Sequence, residues 1–334
     1  MRSHEYKFAL TDLFRVVLPT LLVCCGLVGV LKLGANLRLL PPAAAALDPN
    51  STVLAHQARA ACSKHPAQVL LIGDSTCLVG VDAAALSREL PDNTVVLNLA
   101  LLSWFDLSDY GELAAQFVKN NPGQVRAIVL LVTPEKLGMS RNEGQEQFWQ
   151  EIRQKTQRQG PGQNNTAAPD RFGLRTLRQN LLGYLLATPL HGSGPGAVYF
   201  GFSSEVDAYM SLHHGTSLDL GELVRPKVIS KRAWQFAPDL RRQSEALRAQ
   251  VPPGVKLIAG FTPVARAYSQ AQDPQRALEA LHQWNRWLGA DLLLTNLPIT
   301  LPDVLFSSKA HLNENGQQRF TKVLAERLTV ALDE

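Results

Sequence analysis

Cysteine is scarce in this chain, four residues in 334, too few for a disulfide framework to replace a hydrophobic core. Charge of one sign is also scarce. Lys plus Arg exceed Asp plus Glu by 33 − 29 = +4, and no dense Lys/Arg run occurs, so nothing here points to nucleic acid as a partner. Internal repeats are absent. What remains is balanced: 46% apolar and 19% charged residues, with 23 Gly and 20 Pro. That composition can bury a sizeable core and excludes a wholly disordered or collagen-like chain. The length suits about two ordinary domains or one large α/β domain.

One long apolar run stands out. Val16 to Leu31 carries no charge, and Lys32 can snorkel its ammonium towards lipid head groups. Counted on to Leu37 the stretch is 22 residues, against the ~20 that cross a bilayer as a helix. Arg2, Lys7 and Arg15 precede it and favour a cytoplasmic N-terminus, although Lys32 and Arg38 follow and weaken the asymmetry. The expected organisation is therefore a cytoplasmic N-terminus at 1–15, a transmembrane anchor at 16–37 and a linker at 38–64, with everything beyond outside the cytoplasm. A cleaved signal peptide is the rival, with Ala43 to Ala46 as cleavage site, but these alanines lie beyond Pro41 and Pro42, well past the apolar run. A buried core helix is a third reading, disfavoured by Pro19, the glycines and the lack of a polar face. Cys62 and Cys77 fall in the exported part, where a disulfide or two buried thiols both remain open.

From 65 to 334 short apolar runs alternate with amphipathic helices. Strands are expected at Gln68–Ile72, Thr94–Leu97, Ala127–Val132, Val255–Ala259 and Asp291–Leu294, all continuous apolar runs of the kind that a parallel sheet covered on both faces requires. Between them, Leu107, Tyr110, Leu113, Ala114, Phe117 and Val118 share a helix face behind Asp106 as N-cap. Asp273 and Pro274 open a second helix that stops at Gly289, and Asn315–Ala331 forms the last. This alternation predicts a doubly wound, mainly parallel α/β fold. An insertion at about 140–230 interrupts it. Its first part is polar, with seven Gln from Gln145 to Gln163, and its second part, 176–230, is apolar enough to pack as helices over the carboxyl edge of the sheet.

In such a sheet ligands bind at the carboxyl ends of the strands. The first strand ends in Gly73-Asp74-Ser75. Gly73 permits a tight turn, and Ser75 falls where a helix begins, so that backbone N–H groups and the helix dipole favour a developing oxyanion. A hydroxyl needs a base. Among the eight histidines His311 lies in a loop before the terminal helix, at the same sheet edge as Ser75. His213-His214 lacks a carboxylate or cysteine at ligand spacing and reads as a solvent-exposed pair. No metal set and no cofactor motif is evident.

Gly73-Asp74-Ser75, Asn98-Leu99-Ala100 and His311-Leu312-Asn313 together resemble the SGNH (GDSL-type) hydrolase superfamily. Gly80-Val81-Asp82, Leu97-Asn98-Leu99 and Val132-Thr133-Pro134 bring the chain closest to its membrane-anchored, extracytoplasmic branch, similar to the alginate O-acetylation proteins and the teichoic-acid D-alanylation protein. The resemblance covers roughly 65–135 and 250–332. It implies a serine acyl-enzyme, with Ser75 as nucleophile and His311 as base. It places the Ser75 N–H and Ser103 (where the family usually has Gly) in the oxyanion hole, with Asp74 and Asn98 in the same oxyanion or substrate-binding set. Family members carry Asp three residues before the His, and here that position is Ser308, leaving Asp303 as a substitute acid. A Ser–His dyad with a backbone carbonyl is a further alternative. The implied function is an anchored periplasmic O-acyltransferase or esterase acting on cell-surface polysaccharide, working beside a multi-pass membrane acyltransferase or export complex. The alternative from another class is a catalytically inactive SGNH-fold scaffold that binds glycan or docks to such a complex, a reading motivated by the missing Asp at 308 and the long insertion.

Overall fold

The structure, a computed structural model, describes residues 15, 17–27, 30, 49–140, 203–217, 235–270 and 273–333. The chain divides into two compact units, Met1–Leu47 with Pro169–Phe202, and Asp48–Ala168 with Ser203–Glu334. In the first, residues 15, 17–27 and 30 are helical, with Val17, Leu18, Leu21, Leu22, Val23, Leu27 and Val30 all exposed. Among the described residues no helix is long and apolar enough to cross a membrane. The expected span 16–37 lies partly outside the described residues, as do 1–14, 141–202 and 218–234.

The second unit is built on a parallel sheet of β1 (Val69–Gly73), β2 (Val96–Asn98), β3 (Ala127–Val132), β4 (Lys256–Phe261) and β6 (Leu292–Leu293), in the order β2-β1-β3-β4-β6. All five expected strands are present. Every residue of β1, β2 and β3 is buried, which is why these strands are continuous apolar runs. The chain first adds β2 on one side of β1 and then builds outward from the other side. The topological switch point, and with it the ligand crevice, therefore falls between the carboxyl ends of β1 and β3. A short second pair, β5 (Val264–Ala265) with β7 (Thr300–Leu301), was not foreseen; two-residue strands leave no periodicity to read.

Helices flank the sheet. α1 (Pro49–Cys62) occupies most of the segment read as linker: Val53, Leu54, Ala58 and Ala61 are buried, so this part belongs to the α/β unit rather than to a spacer. The remaining helices are α2 (Ser75–Gly80), α3 (Ala83–Glu89), α4 (Leu107–Asn120), α5 (Ser203–Leu212), α6 (Leu240–Gln250), α7 (Asp273–Leu288) and α8 (Glu314–Asp333). α4 starts at a reciprocal capping box between Asp106 and Asp109. Trp284 of α7 stacks parallel to Phe261 of β4 and donates its indole N–H to Ser244 Oγ of α6 at 2.9 Å, so a buried polar atom ties two helices to the strand.

The described end of the insertion, 203–217, does not cover the carboxyl edge. It lies along the free side of β2, where Asn98 donates its N–H to His214 O (2.8 Å) and His214 Nδ1 meets Val96 O (3.1 Å). Gly215 makes this approach possible. Its φ is +88°, and a Cβ there would stand 2.1 Å from Asn98 O. His213 and His214 are accordingly packed rather than solvent-exposed. His213 stacks on Tyr209 and pairs with Asp82 at 3.0 Å. Farther back, Asp207 of α5 receives His56 (2.8 Å) and Arg59 of α1. Burial pushes the Asp207 carboxyl up, but these two partners outweigh it and hold the group below its ordinary value. Cys62 and Cys77 are not joined by a disulfide, and Cys77 is buried.

Candidate active site

Ser75 owes its place to the two residues before it. Gly73 closes β1 where a Cβ would lie 1.8 Å from Leu131 O of β3, so no larger residue fits the turn. Asp74, 1% exposed, caps α2. Its Oδ1 accepts the Thr76 N–H (2.9 Å) and hydroxyl (2.5 Å), and its Oδ2 accepts the Thr133 N–H (3.1 Å) and hydroxyl (3.2 Å). The carboxylate thus staples the β1–α2 turn to the end of β3. Thr76 Oγ1 continues to Thr262 Oγ1 after β4 at 2.6 Å, so three strand ends share one buried polar cluster. Asp74 O accepts the N–H groups of Cys77 and Leu78. Among the described residues no acceptor takes the Ser75 N–H, which leaves it as the open donor of the first turn.

His311 sits in a tight hairpin, one residue before the bridge that closes it. Phe306 and Leu312 form an antiparallel bridge, and the His311 carbonyl accepts the Ser307 N–H (3.0 Å) and hydroxyl (3.1 Å). Asn313 binds Val304 O through Nδ2 and accepts the Gly316 N–H on Oδ1, which anchors the hairpin to α8. α8 is itself clasped to the nucleophile helix. Gln317 donates to Val79 O at 2.7 Å, and Thr321 Oγ1 accepts the Asp82 N–H at 3.0 Å.

The two assemblies bring His311 Nε2 to 2.9 Å from Ser75 Oγ, both residues half-buried. For Nε2 to accept the hydroxyl proton the imidazole carries its own proton on Nδ1. This is the geometry of a nucleophile and its general base. The other expected residues fall elsewhere. Asp303 directs Oδ1 at the Ala267 N–H (2.9 Å), and Ser308 Oγ accepts the backbone N–H of His311 (3.1 Å); each is engaged with backbone. Ser308 therefore shapes the hairpin that carries the base. Asn98 is fully buried. Its amide reaches Cys77 O (3.2 Å), Leu78 O and Val81 O (both 3.5 Å) and Thr216 Oγ1 (3.4 Å), while its Oδ1 accepts the Ala100 N–H. Asn98 and Asp74 are thus structural supports of α2, and their side chains are not presented to a substrate. Ser103 lies two residues beyond Leu101, whose N–H binds Gly73 O at 2.9 Å, so its loop runs beside the nucleophile turn.

Several site residues escaped the sequence reading. Thr76, Thr133 and Thr262 become visible only when the strand ends are aligned. Lys136, 3% exposed, donates from Nζ to Ser103 O (2.8 Å) and to Phe105 O, and lies over the Tyr110 ring. Burial lowers its pKa, opposed by the charges of Asp74, Asp106, Asp109 and Asp239. Burial also pushes the Cys77 thiol and the Tyr110 phenol well up, Asp74 adding to both. Nearer the rim Lys309 pairs with Glu135 at 3.0 Å across the two loops that flank the site. Among the described residues no group of three His, Cys, Asp or Glu side chains is placed to hold a metal ion.

No protein-family model and no curated protein matches the chain, so the fold and the Ser75–His311 geometry stand on their own.

Proposed function

We propose that this chain is a membrane-anchored, extracytoplasmic SGNH-type O-acyltransferase or esterase that acts on cell-surface polysaccharide through a serine acyl-enzyme. The observation that carries the reading is the 2.9 Å contact between Ser75 Oγ and His311 Nε2 at the switch point of a parallel sheet. The exposed apolar side chains from Val17 to Leu27, and that of Val30, support the anchor.

In the first half-reaction His311 Nε2 takes the Ser75 proton as Oγ attacks the acyl carbonyl carbon. The Ser75 N–H, with a second N–H from the loop after β2, stabilises the oxyanion. Collapse of the tetrahedral intermediate breaks the bond to the leaving group, which receives the proton from His311. In the second half a sugar hydroxyl, or water in an esterase, gives its proton to His311 and attacks the Ser75 ester. The acyl group passes to the acceptor, and Ser75 recovers its proton.

A serine-reactive fluorophosphonate tests this on the full-length protein in detergent. The expected result is stoichiometric labelling at Ser75 that vanishes in Ser75→Ala and falls at least tenfold in His311→Ala. A folded protein that resists the probe from pH 6 to 9 would refute the reading and favour the scaffold alternative.

A further inference from the structure

A buried lysine is costly and needs a reason. Lys136 follows β3 by four residues in a short 3-10 helix, Pro134–Gly138, and its ammonium is almost wholly enclosed. Its recorded hydrogen-bond partners among the described residues are two carbonyls of one loop, Ser103 O and Phe105 O. That loop joins β2 to α4 and runs beside the Ser75 turn, tied to it by the Leu101–Gly73 hydrogen bond. Tyr110 Oη donates to Leu102 O and Phe105 O at 3.2 Å, the Phe105 N–H reaches Leu102 O, and no acceptor among the described residues takes the N–H of Ser103 or Trp104.

In a trans peptide the C=O and the N–H point in opposite directions. With Ser103 C=O turned onto the buried ammonium, the N–H of the same peptide, that of Trp104, is turned away from it. A charged donor on a carbonyl also polarises the peptide and strengthens its N–H as a donor. We propose that Lys136 is a positioning residue of the Ser75 site, an ammonium clamp that sets the direction of the Ser103–Trp104 peptide and polarises it for oxyanion binding. This inference rests on the serine acyl-enzyme reading. Lys136 itself touches no reacting atom. Asp74 completes the arrangement: one buried carboxylate caps the nucleophile helix, and its charge also acts on the lysine that holds the opposing loop.

Lys136→Met keeps the aliphatic stem and removes the donors. Two readouts on the full-length protein in detergent decide the matter. The first is backbone amide exchange of residues 101–106, expected to accelerate at least tenfold. The second is turnover of p-nitrophenyl acetate, with kcat expected to fall roughly tenfold or more and KM to change less than twofold, because an oxyanion donor acts on the transition state and not on ground-state binding. Trp284→Phe, which loses a buried hydrogen bond between α7 and α6 and leaves the loop's own contacts in place, controls for general destabilisation and is expected to leave both readouts as in the wild type. If Lys136→Met does not fold, Lys136→Gln, which keeps an amide donor, takes its place with the same readouts. Unchanged loop exchange, or a kcat loss no larger than that of Trp284→Phe, overturns the clamp. A wild-type protein inert to the fluorophosphonate overturns the serine reading instead, and loop exchange then still decides whether Lys136 holds the loop.

Discussion

Replacing Asp74 by Asn is the sharpest test of how the nucleophile is held, because the side chain keeps its shape and changes one oxygen into an amide nitrogen. Each carboxylate oxygen now accepts one backbone N–H and one threonine hydroxyl. The hydroxyls can rotate and accept from the new NH2 group; the backbone N–H groups of Thr76 and Thr133 cannot. Whichever way the amide is turned, one backbone donor meets another donor in a site that is 1% exposed. A hydrogen bond to a charged group contributes ~1.5–3 kcal/mol, and a stranded buried donor costs a further ~1–3 kcal/mol. A neutral amide is easier to bury than a carboxylate, which offsets part of this. A net loss of about 3 kcal/mol lowers the melting temperature of a domain this size by roughly 6–9 °C. Thermal melting of the full-length protein in detergent measures that shift. Fluorophosphonate labelling measures whether Ser75 still meets His311, and the rate is expected to fall with the loosened turn. An Asp74→Asn protein that melts within 1 °C of wild type and labels at full rate would show that the four hydrogen bonds do not hold the turn.

Two further substitutions probe the frame. Burial, with His214 adding to it, holds the His65 pKa below its ordinary value of 6.5. The unfolded chain therefore takes up this proton at higher pH than the folded one does. The stability that depends on neutral His65 is complete above pH 6.5 and is lost as the pH falls through the folded value. His65→Gln is expected to flatten the fall in melting temperature between pH 7.5 and 5.5, and an unchanged slope rules His65 out as its source. Gly73→Ala drives a Cβ into the β3 backbone at Leu131 and is expected to cost at least ~3 kcal/mol, read as loss of soluble, monodisperse protein or a large drop in melting temperature. An alanine variant that melts like the wild type contradicts the close approach of β1 and β3 at this turn.

How much of this could be read in advance follows from the range of the interactions involved. The five strands were legible because a parallel sheet buried on both faces writes itself as uninterrupted runs such as Ala127–Val132. The helix at Leu107–Asn120 was legible because Asp106 and a 3.6-residue period mark its start and its buried face. The Ser75–His311 meeting was legible from topology, since both loops fall at one sheet edge. The roles of Asp74 and Asn98 were not. A carboxylate beside a nucleophile reads as functional until the Thr133 N–H, 59 residues on, is found bound to it. Asp303 and Ser308 were candidates for the same reason, and only the hairpin geometry shows them engaged with the backbone of Ala267 and His311. Lys136 gave no signal at all, because nothing in Pro134-Glu135-Lys136 separates a buried ammonium from an exposed one. The helix at Pro49–Cys62 was hidden by alanines that also suit a spacer.

The nucleophile helix shows why so many distant residues matter to one distance. α2 is six residues long, far below the ~12–15 at which a helix is even marginally stable alone, and its last carbonyls have no partners within the helix. Side chains from three remote segments take them. Asn98, the last residue of β2, holds Cys77 O, with longer contacts to Leu78 O and Val81 O. Gln317 of α8 holds Val79 O, and Thr216 at the end of the insertion holds Val81 O at 2.8 Å. The Ser217 N–H adds a bond to Leu78 O. Because Gln317 belongs to the helix that follows His311, the same hydrogen bond that caps the nucleophile helix also draws the base towards it. Because Thr216 and Ser217 belong to the insertion, the lie of that segment against β2 bears on where Ser75 points. The Ser75–His311 separation is therefore a property of the tertiary clasp, and a change at Thr216 or Gln317 acts on the reactive pair without touching it.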